Sequence, residues 1–195
     1  MIKFKTKVKL FCLIKMLQKS TYLFLIGLFF ILQTACEKIN QLTVFDLEYN
    51  TQITIQSVVG INLPFNLASP NITTNSESSF EINDTRKDLI EEVILKELKL
   101  FISVPEDGDF SFLESIEIYI SSEGLEEKLI AWNESVDSEA GNIIELDTSN
   151  DDLQEYIKND QIALRVKVVT DKLLLTDYTI DINSVFRIDA KILGI

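Results

Sequence analysis

Apolar and polar side chains alternate along most of this chain. Phe45, Leu47, Tyr49, Thr51, Ile53 and Ile55 share one parity, and Asp46, Glu48, Asn50, Gln52, Thr54 and Gln56 share the other. That is the period of a strand with one buried and one wet face. The pattern returns near the C-terminus, where Tyr178, Ile180, Ile182, Phe186, Ile188, Ala190 and Ile192 are in phase against Thr179, Asp181, Asn183, Arg187, Asp189 and Lys191. Between these ends Leu98, Leu100, Ile102 and Val104 oppose Lys99, Phe101 and Ser103, and Ile116, Ile118 and Ile120 oppose Glu117, Tyr119 and Ser121. Shorter strands are expected over 79–82, 127–132 after a turn at Gly124, 142–146, and 161–170, where Ile162, Leu164, Val166 and Val168 are in phase. About eight strands separated by polar turn residues predict an all-β, antiparallel fold. One wet face per strand predicts a two-layer β-sandwich, immunoglobulin-like in outline.

Two short helices interrupt the pattern. Asn83 and Asp84 precede Thr85–Glu92, where Leu89/Val93 and Ile90/Ile94 have helical spacing. Ser149–Asp152 opens a turn or two over Leu153–Lys158. The stretch Val58–Leu67 is apolar but carries Gly60 and Pro64, and reads either as an exposed binding loop holding Phe65 or as a bent strand.

The N-terminus has a different pattern. Residues 1–35 hold Lys3, Lys5, Lys7, Lys9, Lys15 and Lys19 and no acid, so the acidic excess of the chain falls wholly on the remainder. Tyr22–Leu32 is an uncharged apolar run, shorter than the roughly 17–25 residues of a membrane span and of the length of a signal-peptide core. It closes on Leu32-Gln33-Thr34-Ala35-Cys36. This resembles the lipobox of bacterial lipoproteins, with Thr34 and Ala35 as the small residues before the cysteine. Gln33 departs from the usual aliphatic position, and Leu32 one place earlier is similar to the looser form found in Bacteroidota.

The resemblance implies that Cys36 carries a diacylglycerol, that the leader is cut before it, and that the new amino group is acylated. Several acyl chains exceed the two signals that already anchor a protein stably. The expected organisation is a signal peptide over 1–35, a lipidated tether over 36–42 and a sandwich domain over 43–195. Starting at Met16 would give a leader of more usual shape, so translation is expected to begin there. Glu37 follows the cysteine, and with Lys38 beside it the resemblance favours the outer membrane, periplasmic face. Cys12 goes with the leader and Cys36 with the lipid, so no disulfide is expected.

Composition narrows the chemistry. The chain has 195 residues, 46% of them hydrophobic, enough for a core. Its net charge of −13 disfavours nucleic acid as a partner. The absence of histidine removes Ser-His and Cys-His catalysis and His-bearing zinc sites. No phosphate-binding glycine loop is present. Acids gather in loops, and Asp107, Asp109, Asp151 and Asp152 are the weak calcium candidates. None has the spacing of an EF-hand, and turn formation and helix capping account for the same residues, so no cofactor is expected. Trp132, the single tryptophan, stands at a strand end beside Asn133 and Glu134, where it serves either the core or a sugar or protein partner. The expected function is a membrane-anchored binding or structural module, not an enzyme. The alternatives are a carboxylate-dependent carbohydrate-active or calcium-dependent enzyme, and a carrier of an apolar ligand between the sheets.

Overall fold

The computed structural model describes residues 44–57 and 62–191. The expected leader, its Met16 start, Cys36 and the tether lie outside the described residues, as do 58–61 and Ile192. In chain order the elements are β1 (Val44–Ile55), β2 (Phe65–Ala68), β3 (Ile72–Thr73), α1 (Ser76–Ile82), a 3-10 turn (Lys87–Leu89) and β4 (Ile90–Val104). They continue with β5 (Leu113–Ser122), β6 (Lys128–Asn133), β7 (Ile143–Glu145), β8 (Asp147–Thr148), α2 (Gln154–Ile157), β9 (Gln161–Thr170) and β10 (Tyr178–Ala190).

One sheet runs β1-β10-β4-β7 and the other β2-β9-β5-β6-β8, with β3 extending the β9 edge. Every pairing is antiparallel. The chain crosses repeatedly from one layer to the other, β5 and β6 form a hairpin, and the first strand lies beside the last. The expected two-layer sandwich is therefore the observed architecture, and its strand order is that of a jelly roll. An immunoglobulin order would pair the first strand with the second. The expected strand over 142–146 is β7, and the buried Leu146, whose amide donates to the Leu98 carbonyl of β4, marks the point after which the chain leaves this sheet for β8 in the other.

The inward parities fill the space between the sheets. Leu100, Ile182, Ile118 and Val166 are wholly buried, as are Phe80 and Phe110, and Phe186 packs edge-on against Tyr49 at 5.8 Å. Each such aliphatic or aromatic side chain contributes roughly 1.5–3 kcal/mol by leaving water.

β4 keeps its apolar side inward in an unusual way. Opposite β10, Glu91, Lys96 and Ser103 are passed over where the register shifts. Each extra residue reverses the parity of the residues after it. Ile90 is buried, then Val93 and Leu95, then Leu98, Leu100 and Ile102, while Val104 beyond the last bulge is 53% exposed. The Leu89/Val93 and Ile90/Ile94 spacing does not mark a helical face: Ile90 and Val93 are the buried pair, set three apart by the bulge at Glu91, and the helix expected over 85–92 is a 3-10 turn leading into a strand. The real helix, α1, lies where a strand was expected over 79–82. Its buried residues are Ser76 and Phe80, four apart on one face, and Ile82 is exposed. Asn75 and Asp84 bracket it in the left-handed region, which Asn and Asp tolerate better than other non-glycine residues.

Candidate binding face

The outward parities of β5, β6, β9 and β2 make one continuous wet face. Trp132 on β6 pairs with Glu117 on β5, Glu117 with Lys167 on β9, and Lys167 with Asn66 on β2, which sets four side chains in a row across the sheet. Two residues along, Leu129, Tyr119, Arg165 and Ala68 form the next row. A further two residues along, Ser121 pairs with Ala163. Rows separated by two residues lie about 7 Å apart.

The charged groups of this face hold one another. Arg165 places its guanidinium 3.9 Å from the centre of the Tyr119 ring. Its Nε donates to both oxygens of Glu127 at 2.8 and 3.0 Å, Nη2 donates to Glu127 at 2.6 Å, and Nη1 donates to Asn66 Oδ1 at 2.6 Å. Lys167 Nζ donates to Glu117 at 2.8 Å, and the Tyr119 hydroxyl donates to the same carboxylate. The Lys167 ammonium, and then the Tyr119 hydroxyl, hold the Glu117 carboxyl below its ordinary range. The same contacts raise Lys167 and Tyr119.

Past Tyr119 and Arg165 the small side chains of Ser121 and Ala163 leave a depression of about 630 Å³, lined also by Asn71, Ser122, Asn159 and Gln161. Its polar groups are fixed in place. Asn71 Nδ2 donates to Gln161 Oε1 at 3.2 Å, Asn159 Nδ2 to Ser122 Oγ at 2.8 Å, and Ser122 Oγ to the Gln161 carbonyl at 2.7 Å. Among the described residues, Asn71 Oδ1, Asn159 Oδ1 and Gln161 Nε2 have no protein partner.

Trp132 is half-buried on this wet face, outside the core cluster. Phe65 is not a loop residue. It begins β2 opposite Val168 and packs against the core, because the chain bends into the sheet after Pro64. The weak calcium candidates serve as turn and cap groups. Asp107 lies in the turn closed by the Gly108 amide on the Pro105 carbonyl at 3.0 Å, where a Cβ on Gly108 would meet Ile102 at 2.9 Å. Asp109 accepts the Ser111 amide at 2.9 Å, and the Ser111 hydroxyl and amide hold its carboxyl below the ordinary range. Asp151 pairs with Lys128 at 3.4 Å. Asp152, one residue before the Leu153 N-cap, accepts the amides of Gln154 and Val93, each at 3.0 Å, holding the first amide of α2 and tying the helix to β4 two residues beyond the first bulge. Among the described residues no three acidic or thiol groups are gathered as metal ligands.

Sequence reading singled out Trp132 but not Arg165, Lys167, Glu127 or Asn66, nor the role of Glu117 and Tyr119 beyond their parity. The signal was present in the polar parity of β5 and β9. What joins those parities is a pairing across about 45 residues, which neither strand encodes alone.

No family model matches this chain, and no curated protein matches it. Solved structures similar to it include the cyanophage Pam1 capsid asymmetric unit, at 8% identity and a TM-score of 0.36 over 74% of this chain and 86% of that one. The decameric BFDV capsid protein is similar at 8% identity and a TM-score of 0.35, over 74% and 99%. A structure of carbohydrate-binding modules from the β-sandwich superfamily is similar at 12% identity and a TM-score of 0.26, over 76% and 55%. None of these likenesses is close enough to carry a function across.

Proposed function

We propose that the chain is a lipid-anchored, extracytoplasmic bacterial lipoprotein whose jelly roll is a non-catalytic binding module, with the outer face of the β2-β9-β5-β6 sheet as its contact surface. The Lys-rich start, the short apolar run and the lipobox-like residues before Cys36 support the anchor, and Glu37 with Lys38 after it supports an outer-membrane, periplasm-facing position. The contact surface rests on one observation. An aromatic ring, a braced Tyr119–Arg165 pair and a depression rimmed by fixed amides lie within three adjacent rows of a single sheet face. Between the sheets, where an apolar cargo would need room, Phe80, Phe110 and Phe186 fill the space.

Two measurements test this reading in the full chain. Labelled fatty acid is incorporated by the wild type and not by Cys36→Ala; equal labelling removes the anchor. A benzophenone side chain introduced at Tyr119 yields adducts in cells on irradiation, while one at Lys99, on the outer face of the other sheet, does not. Equal yields from the two sites remove the contact surface.

A further inference from the structure

We infer that the ligand of this face is an uncharged oligosaccharide, bound with one end over Trp132 and the other in the Ser121–Ala163 depression; the inference rests on the contact surface proposed above. The chemistry of the lining selects this class. The spare ends of Asn71, Asn159 and Gln161 offer two acceptors and one donor, all neutral. Sugar hydroxyls both donate and accept, so they satisfy such a mixed set, whereas a phosphate or carboxylate can only accept.

Charge excludes the anionic alternatives. Glu123 and Asp160 also line the depression, and since Asp160 is paired with Lys87 at 3.1 Å, an anion there would face the Glu123 carboxylate and a cation already bound. Arg165 and Lys167, the cations of the face, are already bound to Glu127 and Glu117. An apolar ligand finds no floor in this depression, whose lining is largely Asn, Ser, Gln and acidic side chains.

Size follows from the rows. The Trp132 row and the Ser121 row are four residues apart, about 14 Å along the strands. A monosaccharide fills one end only, whereas a linear chain of several sugars reaches both and gains from two weak sites held on one molecule. Trp132 at one end gives the ring a sugar face can cover.

Because Trp132 is the single tryptophan, its fluorescence reports on one end of the site alone. The full chain in detergent is titrated with glucose, mannose and xylose, with uncharged hexasaccharides of each sugar, and with hexagalacturonate as the anionic control. A second readout, retardation by the corresponding soluble polysaccharides in native gels, does not depend on the ring. At least one uncharged hexasaccharide is expected to change the emission saturably, the monosaccharides and hexagalacturonate leaving it unchanged. Ala163→Tyr, which fills the depression about 14 Å away, weakens that response about tenfold, the loss of one or two hydrogen bonds. Trp132→Ala reduces the retardation as well.

Preference for hexagalacturonate, an equal response to monosaccharide and hexasaccharide, an unaltered response in Ala163→Tyr, or silence from every uncharged hexasaccharide in both readouts overturns the inference. The benzophenone adducts separate its failure from that of the contact surface. Adducts at Tyr119 that contain protein and no sugar leave the surface standing and remove the glycan, and the absence of adducts removes both.

Discussion

The outer faces of the two sheets are polar in different ways. On the β1-β10-β4-β7 sheet, Asn183 bonds to Glu48 and Asn50, Gln52 to Asp181 at 2.6 Å, and Lys96 to Asp46 at 2.6 Å, mostly between neighbouring strands. That face also leaves Phe101 and Ile143 in register beside each other at 40% and 55% exposure. On the β2-β9-β5-β6 sheet the polar side chains link three strands, β2, β9 and β5, and the Glu127 segment before β6 through Arg165 and Lys167, and stop at an open depression. The inner faces differ too. β9 alternates without a break from Ile162 to Thr170, while β4 reaches the same burial only by three changes of phase. In the first sheet a central strand, β4, corrects its own phase three times, whereas in the second the central strand β9 keeps one phase and the shifts fall on its neighbours, at Glu114 of β5 and Ile130 of β6.

The contrast breaks most visibly at Lys96. Deleting it removes a bulge and drives Leu98, Leu100 and Ile102 toward water, a loss of roughly 1.5–3 kcal/mol for each against a domain stability of about 5–15 kcal/mol. No cooperative unfolding transition is expected for the deletion by circular dichroism. Lys96→Ala keeps the residue count and loses one exposed ion pair, so its melting curve should stay close to wild type. If the deletion melted like wild type, the bulges would not be setting the register.

Next in size, Phe186→Ala opens a hole beside Tyr49 and should cost about 3–5 kcal/mol in urea unfolding. Smaller again is an alkaline effect at the edge of the same sheet. Burial pushes the Tyr49 phenol from 10.0 up to about 12, and its hydroxyl donates to the Thr74 carbonyl at 3.0 Å. The folded pKa is the higher one, so this stabilisation is complete below pH 10 and is lost as the pH rises through 12. The loss amounts to roughly 2–3 kcal/mol. Tyr49→Phe should show a flatter decline in stability across that window. Smallest is Arg165→Ala on the other sheet, where solvent screens the pairs and the stability change should stay under about 1 kcal/mol. A larger thermal shift there would mean that the network supports the fold more than it serves a surface.

Much of this architecture was legible because parity is a local property. β1, β5, β9 and β10 follow their alternation, and α2 lies where its capping residues predicted. β4 was legible only in its second half, since a bulge leaves a residue count that looks helical and nothing in the sequence marks Glu91 or Lys96 as unpaired. α1 was hidden because Phe80 and Ile82 alternate like a strand while only Phe80 is buried. The candidate face was illegible as a unit. Glu117 and Lys167 become neighbours only when β5 and β9 pair, and the jelly-roll order depends on long-range contacts that no short window contains.

β1 is both the first strand and an edge strand, joined on one side to β10 through twelve consecutive partners from Val44↔Asp189 to Ile55↔Tyr178. Mechanical tension reaching the domain from the Cys36 side enters at Val44. Pulled along its own axis against a ligand holding the other sheet, β1 cannot peel away one pair at a time and must slide past β10 with its pairs loaded together. Resistance of that kind is governed by the unfolding rate rather than by equilibrium stability. With the proposed anchor at Cys36 in place, the seam between the first and last described strands is where the domain would meet drag, and single-molecule pulling from the N-terminus should detach β1 before any other described strand.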